Sequence, residues 1–315
     1  MTVPLIETRG LKKYFSTPGG ILHAVDDVNI RIERGKTLGV VGESGCGKST
    51  LGRTILRLIE PTEGEILFNG ENIAKYGTHK MKQMRKRMQI IFQDPFSSIN
   101  PRMTVSELIA EPMIVTKVCS NRTERMERVY KLMETVGLAE RFINTYPHEL
   151  DGGRRQRIGV ARALALDPEF IVCDEPVSAL DVSIQAQILN LMMDLQESRN
   201  LTYMFITHDL SVVKHISDHI AVMYLGQCVE MAPTEEIFSN PTHPYTKALL
   251  DAIPVPNLKH KRGMITLKGE VTSPIEPKPG CRFMTRCPHA HSECVKSQSL
   301  AQVGENHYVA CELIQ

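Results

Sequence analysis

Short apolar runs and stretches of helical period alternate along this chain, and the alternation predicts an architecture before any single residue is considered. Residues 36–42, KTLGVVG, form an apolar run broken by glycine. From Lys48 to about Ile59 the apolar residues Leu51, Ile55 and Leu58 then fall on one helical face, which gives strand, loop and helix. The pattern returns at residues 170–173, FIVC, followed by a helix on which Ile184, Ile188, Leu191 and Leu195 recur at helical spacing. Residues 203–207, YMFIT, and 220–224, IAVMY, predict two more buried strands joined by a helical connection. Strands alternating with helices predict a parallel α/β core with helices on both faces.

From about Pro95 to Leu166 the strand signal vanishes and amphipathic helix takes over, as at Val129, Leu132, Met133 and Val136, so a helical insertion is expected. Beyond about Pro233 the texture changes again. PTHPYTKALL, VPNLKHKRG and the Pro- and Gly-rich SPIEPKPG lead into a cysteine-rich tail with little core of its own. The expected division is residues 1–235 as one domain, with its helical part at about 95–166, and 236–315 as a C-terminal extension. No internal repeat or low-complexity tract interrupts it.

Composition adds limits. The chain has 315 residues, 42% of them apolar, enough for a core and unlike a disordered or fibrous protein. Its 37 Lys and Arg offset 36 Asp and Glu to leave a formal charge of +1, so charge as a whole argues for no nucleic-acid partner. The basic segment HKMKQMRKRM at 79–88 is interleaved with Met81, Met84 and Met88 and lacks aromatic platforms, which predicts a solvated helix face. No stretch approaches the roughly 18 apolar residues of a membrane helix, and MTVPLIETRG lacks a secretory pattern, so a cytoplasmic protein is expected. Of eight cysteines, Cys281, Cys287, Cys294 and Cys311 crowd into the tail; in a reducing compartment that clustering favours metal over disulfides.

Two motifs carry chemistry. Residues 42–49, GESGCGKS, match a phosphate-binding loop in its required setting, after a strand and opening a helix. Gly42, Ser44, Gly45, Cys46 and Gly47 bring backbone N–H groups onto phosphate oxygens, Lys48 reaches the β- and γ-phosphates, and Ser49 ligates Mg²⁺. The second motif is an apolar strand, residues 170–173, ending in two carboxylates. Asp174 suits the Mg²⁺ shell, and Glu175 is placed to orient or deprotonate an attacking water.

With these in order, the chain resembles the ATP-binding subunit of ATP-binding cassette (ABC) transporters over nearly its whole length. The further residues of that pattern are Gln93 in IIFQDPFSSINPRMTV, the signature segment 150–156 (LDGGRRQ), the dimer loop 178–181 (SALD) and His208 in ITHDL. The resemblance implies a P-loop NTPase fold with a RecA-like parallel core, an antiparallel β subdomain and a helical subdomain. It implies Gln93 as a metal contact and hinge, His208 at the γ-phosphate, Thr50 within the nucleotide loop, and an aromatic on adenine, with Phe15 the best placed and Tyr14 second. Asp151, Gly152 and Gly153 then face the ATP of a second ATPase subunit. There Asp151 replaces the usual serine: two unit charges about 4 Å apart at an effective dielectric near 20 repel by roughly 4 kcal/mol, which predicts a weakened site and a heterodimer with a partner that keeps serine. The alternative is that Asp151 caps the following helix and leaves phosphate contact to the glycines.

The QDPFSSINPRMTV and HPYTKALL runs with the cysteine tail look like the peptide-importer ATPases, a group that includes nickel and glutathione importers. That resemblance implies a peripheral protein at the cytoplasmic face of the membrane, two permease subunits, an extracytoplasmic substrate-binding protein and no nucleic acid. It also implies a 4Fe–4S cluster on Cys281, Cys287, Cys294 and Cys311; spacing alone fits zinc equally, with His289 and His291 as further donors. A soluble cassette protein of the phosphonate-metabolism type is the competing class.

Overall fold

A computed structural model describes residues 3–93, 99–253 and 273–314. The expectations on residues 94–98, including the start of the helical insertion at Pro95, and on VPNLKHKRG therefore lie outside the described residues. In chain order the first elements are β1 (Ile6–Thr17), β2 (Gly20–Val28), β3 (Arg31–Ile32), β4 (Thr37–Val41), α1 (Lys48–Ile55), β5 (Glu63–Phe68), β6 (Glu71–Asn72), α2 (Thr78–Arg87) and β7 (Met88–Ile91). There follow α3 (Val105–Thr116), α4 (Arg122–Thr135), α5 (Gly152–Leu164), β8 (Phe170–Asp174), α6 (Val182–Arg199), β9 (Thr202–Ile206) and α7 (Leu210–Ile216). The last are β10 (His219–Tyr224), β11 (Gln227–Pro233), α8 (Thr234–Ser239), α9 (Pro244–Asp251), β12 (Ala301–Gly304) and β13 (His307–Val309).

The chain divides into two compact units, Met1–Glu33 with Thr37–Lys75 and Phe205–Gln315, and Arg34–Lys36 with Tyr76–Met204. In the first, β1 pairs antiparallel with β2, β3 and β5, and β5 with β6, which makes a small antiparallel sheet. Beside it β4, buried at all five positions, pairs parallel with β10, which turns back antiparallel to β11. Burial on both faces explains why β4 reads as a continuous apolar run.

The tail has little core of its own because it shares this unit's core. Tyr245 and Phe283 are fully buried in one cluster with Val41, Val222, Tyr224 and Ile237, and Cys281 and Cys287 pack against its rim. Burying such side chains contributes about 1.5–3 kcal/mol each, which fastens the extension. Strand β13 then pairs with β11, Val309 opposite Glu230, and β12 pairs with β13.

In the second unit β7 and β8 run parallel, Met88 opposite Phe170, and the helices α3, α4 and α5 pack on one another. Helix α3 opens with a capping box, Thr104 and Glu107 exchanging side-chain and backbone hydrogen bonds. Two expectations shift by a few residues. Helix α1 stops at Ile55 rather than Ile59, because Arg57 takes a left-handed φ of 53° and donates to the carbonyls of Ile73 and Ala74, leaving Leu58 48% exposed instead of on the buried face. Met88 is no helical position but the first of β7; Met81 and Met84 are the buried residues of α2.

Candidate active site

In the first unit the turn after β4 is shaped by glycine where no other residue fits. Gly42 has φ 151° and Gly47 φ 101°, and an added Cβ would run into the carbonyl oxygens of Met223 and Ala24 respectively. The loop between them leaves Ser44 and Gly45 exposed and carries Cys46 buried, its thiol pushed up by that burial. Gly226 N–H donates to the Cys46 carbonyl at 2.8 Å, which ties the loop to the β10–β11 turn. Helix α1 follows with Gly47 at its N-cap, no capping side chain and no acidic residue in the first turn. The first turn, with Lys48, Ser49 and Thr50, therefore keeps its N-terminal partial positive charge open to an anion.

Lys48 is buried at 5% exposure, and an ammonium so placed needs acceptors. Its Nζ donates to the carbonyls of Gly42 at 2.7 Å and Glu43 at 2.9 Å. A phosphate offered at the helix end competes for the same ammonium, as a charged and stronger acceptor. Glu43 is itself held: its N–H donates to Tyr245 Oη at 2.9 Å, and its carboxylate receives the Arg286 guanidinium at 2.8 and 3.1 Å.

Of the two aromatic candidates, Tyr14 is committed to the protein. Its ring stacks on His23 at 4.0 Å between centroids and its hydroxyl donates to Asp26. Burial, then that hydrogen bond, raises the phenol's pKa. Burial acts to raise the pKa of Asp26, but the hydrogen bonds from Tyr14 and His23 and the charge of Arg282 outweigh it and hold the carboxyl low. Phe15 is half-buried, with the Lys13 ammonium 4.7 Å from its ring centroid. His208 stands exposed between β9 and α7, just past Thr207, whose N–H donates to the Val40 carbonyl at 3.2 Å.

In the second unit Asp174 ends β8 and is 1% exposed. Glu175 follows with φ 48°, a left-handed conformation uncommon for a residue with a Cβ, and accepts from Gln93 Nε2 at 2.9 Å. The dimer-loop segment turns directly after it, with Ser178 Oγ donating to the Glu175 carbonyl at 3.1 Å and Asp181 capping α6. Asp151 caps α5: its carboxylate accepts from Arg154 N–H at 2.8 Å and from the Arg154 guanidinium at 2.6 Å. Gly153 is small for a packing reason as well, since a Cβ there would press on Ile184 at 2.6 Å. Of the residues named from sequence, the first unit thus brings together the 42–50 loop, and the second pairs Gln93 with Glu175 and sets Gly152 and Gly153 against the 180–184 turn.

The four tail thiols are free, and burial first and their mutual repulsion next raise Cys281 to about 11 and move Cys287 and Cys311 upward. Cys281 N–H donates to the Cys294 carbonyl at 2.8 Å, and His291 Nδ1 lies 3.4 Å from Cys294 Sγ. Among the described residues no group of three or more His, Cys, Asp or Glu is arranged to hold a metal ion. Sequence reasoning missed Glu43, Arg286, Asp26 and Arg282 altogether. HPYTKALL marked a subfamily without pointing to the loop that its tyrosine holds.

Comparison with known proteins bears on the whole chain. The ABC transporter family profile matches residues 25–178, and a profile described as the oligopeptide/dipeptide transporter C-terminal region matches 229–294. The oligopeptide transport ATP-binding protein OppF of Bacillus subtilis is 55% identical over 291 residues, 89% of this chain and 95% of that protein. The dipeptide transport ATP-binding protein DppF of Haemophilus influenzae is 50% identical over 317 residues, 98% of this chain and 96% of that protein. Among solved structures, the ATP-binding cassette MJ0796 in a dimeric post-hydrolysis state with ADP and Pi superposes with a TM-score of 0.67 at 28% identity, covering 73% of this chain and 98% of that one. The cassette cbiO1 of Clostridium perfringens gives 0.67 at 25% identity, covering 75% and 91%.

Proposed function

The chain belongs to the ABC transporter ATP-binding subunits of the oligopeptide and dipeptide group, and from that premise we propose how its residues divide the work of an ATPase that powers peptide import. The observation that carries the reading is the loop at 42–49, with Lys48 resting on backbone carbonyls at the open end of α1. Lys48 and the loop amides bind the β- and γ-phosphates, Thr50 supports them, and Phe15 rather than the engaged Tyr14 meets adenine. Ser49 in the first unit, and Asp174 and Gln93 in the second, are each read as Mg²⁺ ligands, and the ion would supply charge neutralisation on the phosphates. Glu175, aligned by Gln93, orients and deprotonates the attacking water, and His208 contacts the γ-phosphate. The test is nucleotide affinity and turnover of the purified chain beside Lys48→Ala and Glu175→Gln. Normal ATP binding by Lys48→Ala would overturn the reading.

Membership implies membrane permease partners, and we propose two such subunits, reached through the helical segment, an extracytoplasmic substrate-binding protein, and a peripheral place for this chain at the cytoplasmic face. No described helix is long and apolar enough to cross a membrane. The second ATPase subunit is a related chain that keeps serine in its signature. Asp151, a helix cap paired with Arg154, offers no hydroxyl to a neighbouring γ-phosphate. The isolated chain should therefore hydrolyse ATP more slowly than the co-expressed pair, and equal rates would remove the heterodimer.

Cys281, Cys287, Cys294 and Cys311 would hold a 4Fe–4S cluster that staples the tail. The donor set supports it, four free thiols within the last 35 residues, although the described residues do not gather three of them into a metal-holding group. Iron analysis of anaerobically purified protein decides, about four iron per chain being expected and stoichiometric zinc without iron overturning it.

A further inference from the structure

We propose that Arg286 and Tyr245, both carried by the chain beyond residue 233, are positioning residues for ATP and act through Glu43 of the phosphate loop. The proposal rests on the ATP-site reading above and adds residues to it.

Every polar group of Glu43 is engaged. Its N–H donates to Tyr245 Oη at 2.9 Å, its carbonyl accepts from Lys48 Nζ at 2.9 Å, and its carboxylate takes both terminal nitrogens of Arg286 at 2.8 to 3.1 Å. Two of these three holds come from the tail. The Arg286 side chain is 9% exposed against 26% for Glu43, so solvent screens the pair less than it would a surface ion pair. The two-pronged geometry also fixes direction as well as distance.

The support beneath is rigid. Tyr224, Tyr245 and Phe283 pack on one another with ring centroids 4.7, 5.2 and 5.4 Å apart, and all three are at most 1% exposed. Arg286 lies against the same bed, with Nη1 3.4 Å from Tyr224 Oη. Phe283 and Arg286 belong to one turn, in which the Arg286 N–H donates to the Phe283 carbonyl at 3.0 Å. The tail thus grips the loop from the side of the core. It leaves Ser44, Gly45 and the end of α1 for the phosphates.

The consequence concerns preorganisation. Glu43 supplies one of the two carbonyls on which the Lys48 ammonium rests, so a displaced Glu43 displaces the lysine. A loop released from Arg286 would have to be ordered by the nucleotide itself, and that ordering would be subtracted from affinity.

The test is ATP affinity at 25 °C and thermal melting of the full chain, for wild type, Arg286→Gln, Glu43→Gln, the double variant, Arg286→Lys and Tyr245→Phe, with Lys48→Ala as reference. Arg286→Gln and Glu43→Gln should each weaken ATP binding about tenfold while the chain stays folded, and the double variant should bind no more than about twofold worse than either. Arg286→Lys, which keeps the charge, should recover part of the loss, and Tyr245→Phe should weaken binding by a smaller factor. Wild-type affinity in Arg286→Gln, or a loss of about a hundredfold in the double variant, overturns the proposal. If Arg286→Gln does not fold, wild-type affinity in both Glu43→Gln and Tyr245→Phe overturns it equally. Failure of the ATP reading looks different, since wild type would then bind no ATP or Lys48→Ala would bind it normally.

Discussion

Gln93 donates its side-chain amide to Glu175 at 2.9 Å, and Glu175 receives it from a left-handed backbone. The two are 82 residues apart in sequence, so the contact is made by β7 and β8 lying parallel with their ends in register. A conformation of that kind costs on the order of 1 kcal/mol or more, and the hydrogen bond from Gln93 restrains the carboxylate. Glu175→Gln keeps an acceptor for Gln93 but loses the base. Turnover should fall about 10²- to 10⁴-fold with ATP affinity near wild type, read from steady-state hydrolysis and nucleotide titration. Gln93→Ala should lower turnover less, because it frees Glu175 without removing it.

Asp151 is a helix cap first. Asp151→Ala should cost about 1 kcal/mol of stability, while Asp151→Ser, which keeps an acceptor for the Arg154 N–H, should cost only a few tenths. Denaturant unfolding of the two variants separates them. Equal losses would mean that the carboxylate's pairing with Arg154 matters more than the cap.

His243 makes stability depend on pH. Burial, then the nearby charge of Lys247, lowers its pKa from the ordinary 6.5 to about 4, and its Nδ1 accepts from the Tyr245 N–H at 3.0 Å. The unfolded chain therefore binds a proton between about pH 6.5 and 4 that the folded chain refuses. The neutral ring's contribution is complete above pH 6.5 and declines as pH falls toward 4, by about 3 kcal/mol at most. His243→Asn retains a capping acceptor and should flatten the stability profile over that window in urea titrations.

Asp26 links the aromatic pair to the tail, since Tyr14 and Arg282 both donate to it and Arg282 also holds the Leu225 carbonyl. Arg282→Ala leaves a half-buried carboxylate without its guanidinium and should lower the melting temperature by several degrees. Phe15→Ala should instead weaken ATP binding about tenfold at nearly unchanged stability. A Phe15→Ala chain that binds ATP normally would pass the adenine role to Tyr14 or to neither.

Periodicity reached the buried strands because β4, β8 and β9 are covered on both faces and their sequences say so. Glycine spacing reached the phosphate loop because Gly42 and Gly47 sit where a Cβ meets backbone. The helical spacing after the loop runs four residues past the end of α1. The residue that ends it, Arg57, is a good helix former, turned aside by carbonyls of Ile73 and Ala74 that no local pattern announces. The holds on Glu43 and Asp26 were illegible for a related reason. Arg286 lies 243 residues from Glu43 and Arg282 lies 256 from Asp26, so only folding makes them neighbours.

The pairing of β13 on β11 bears on how deletions of the tail should be read. A chain cut before Ala301 would lose β12 and β13, present the bare N–H and C=O row of β11, and strip the buried Glu230 of its His307 partner. Such an edge recruits other chains. Truncation would then yield aggregates whose lost activity reports colloidal behaviour, and point substitutions at single cysteines are the cleaner way to learn what the thiols do.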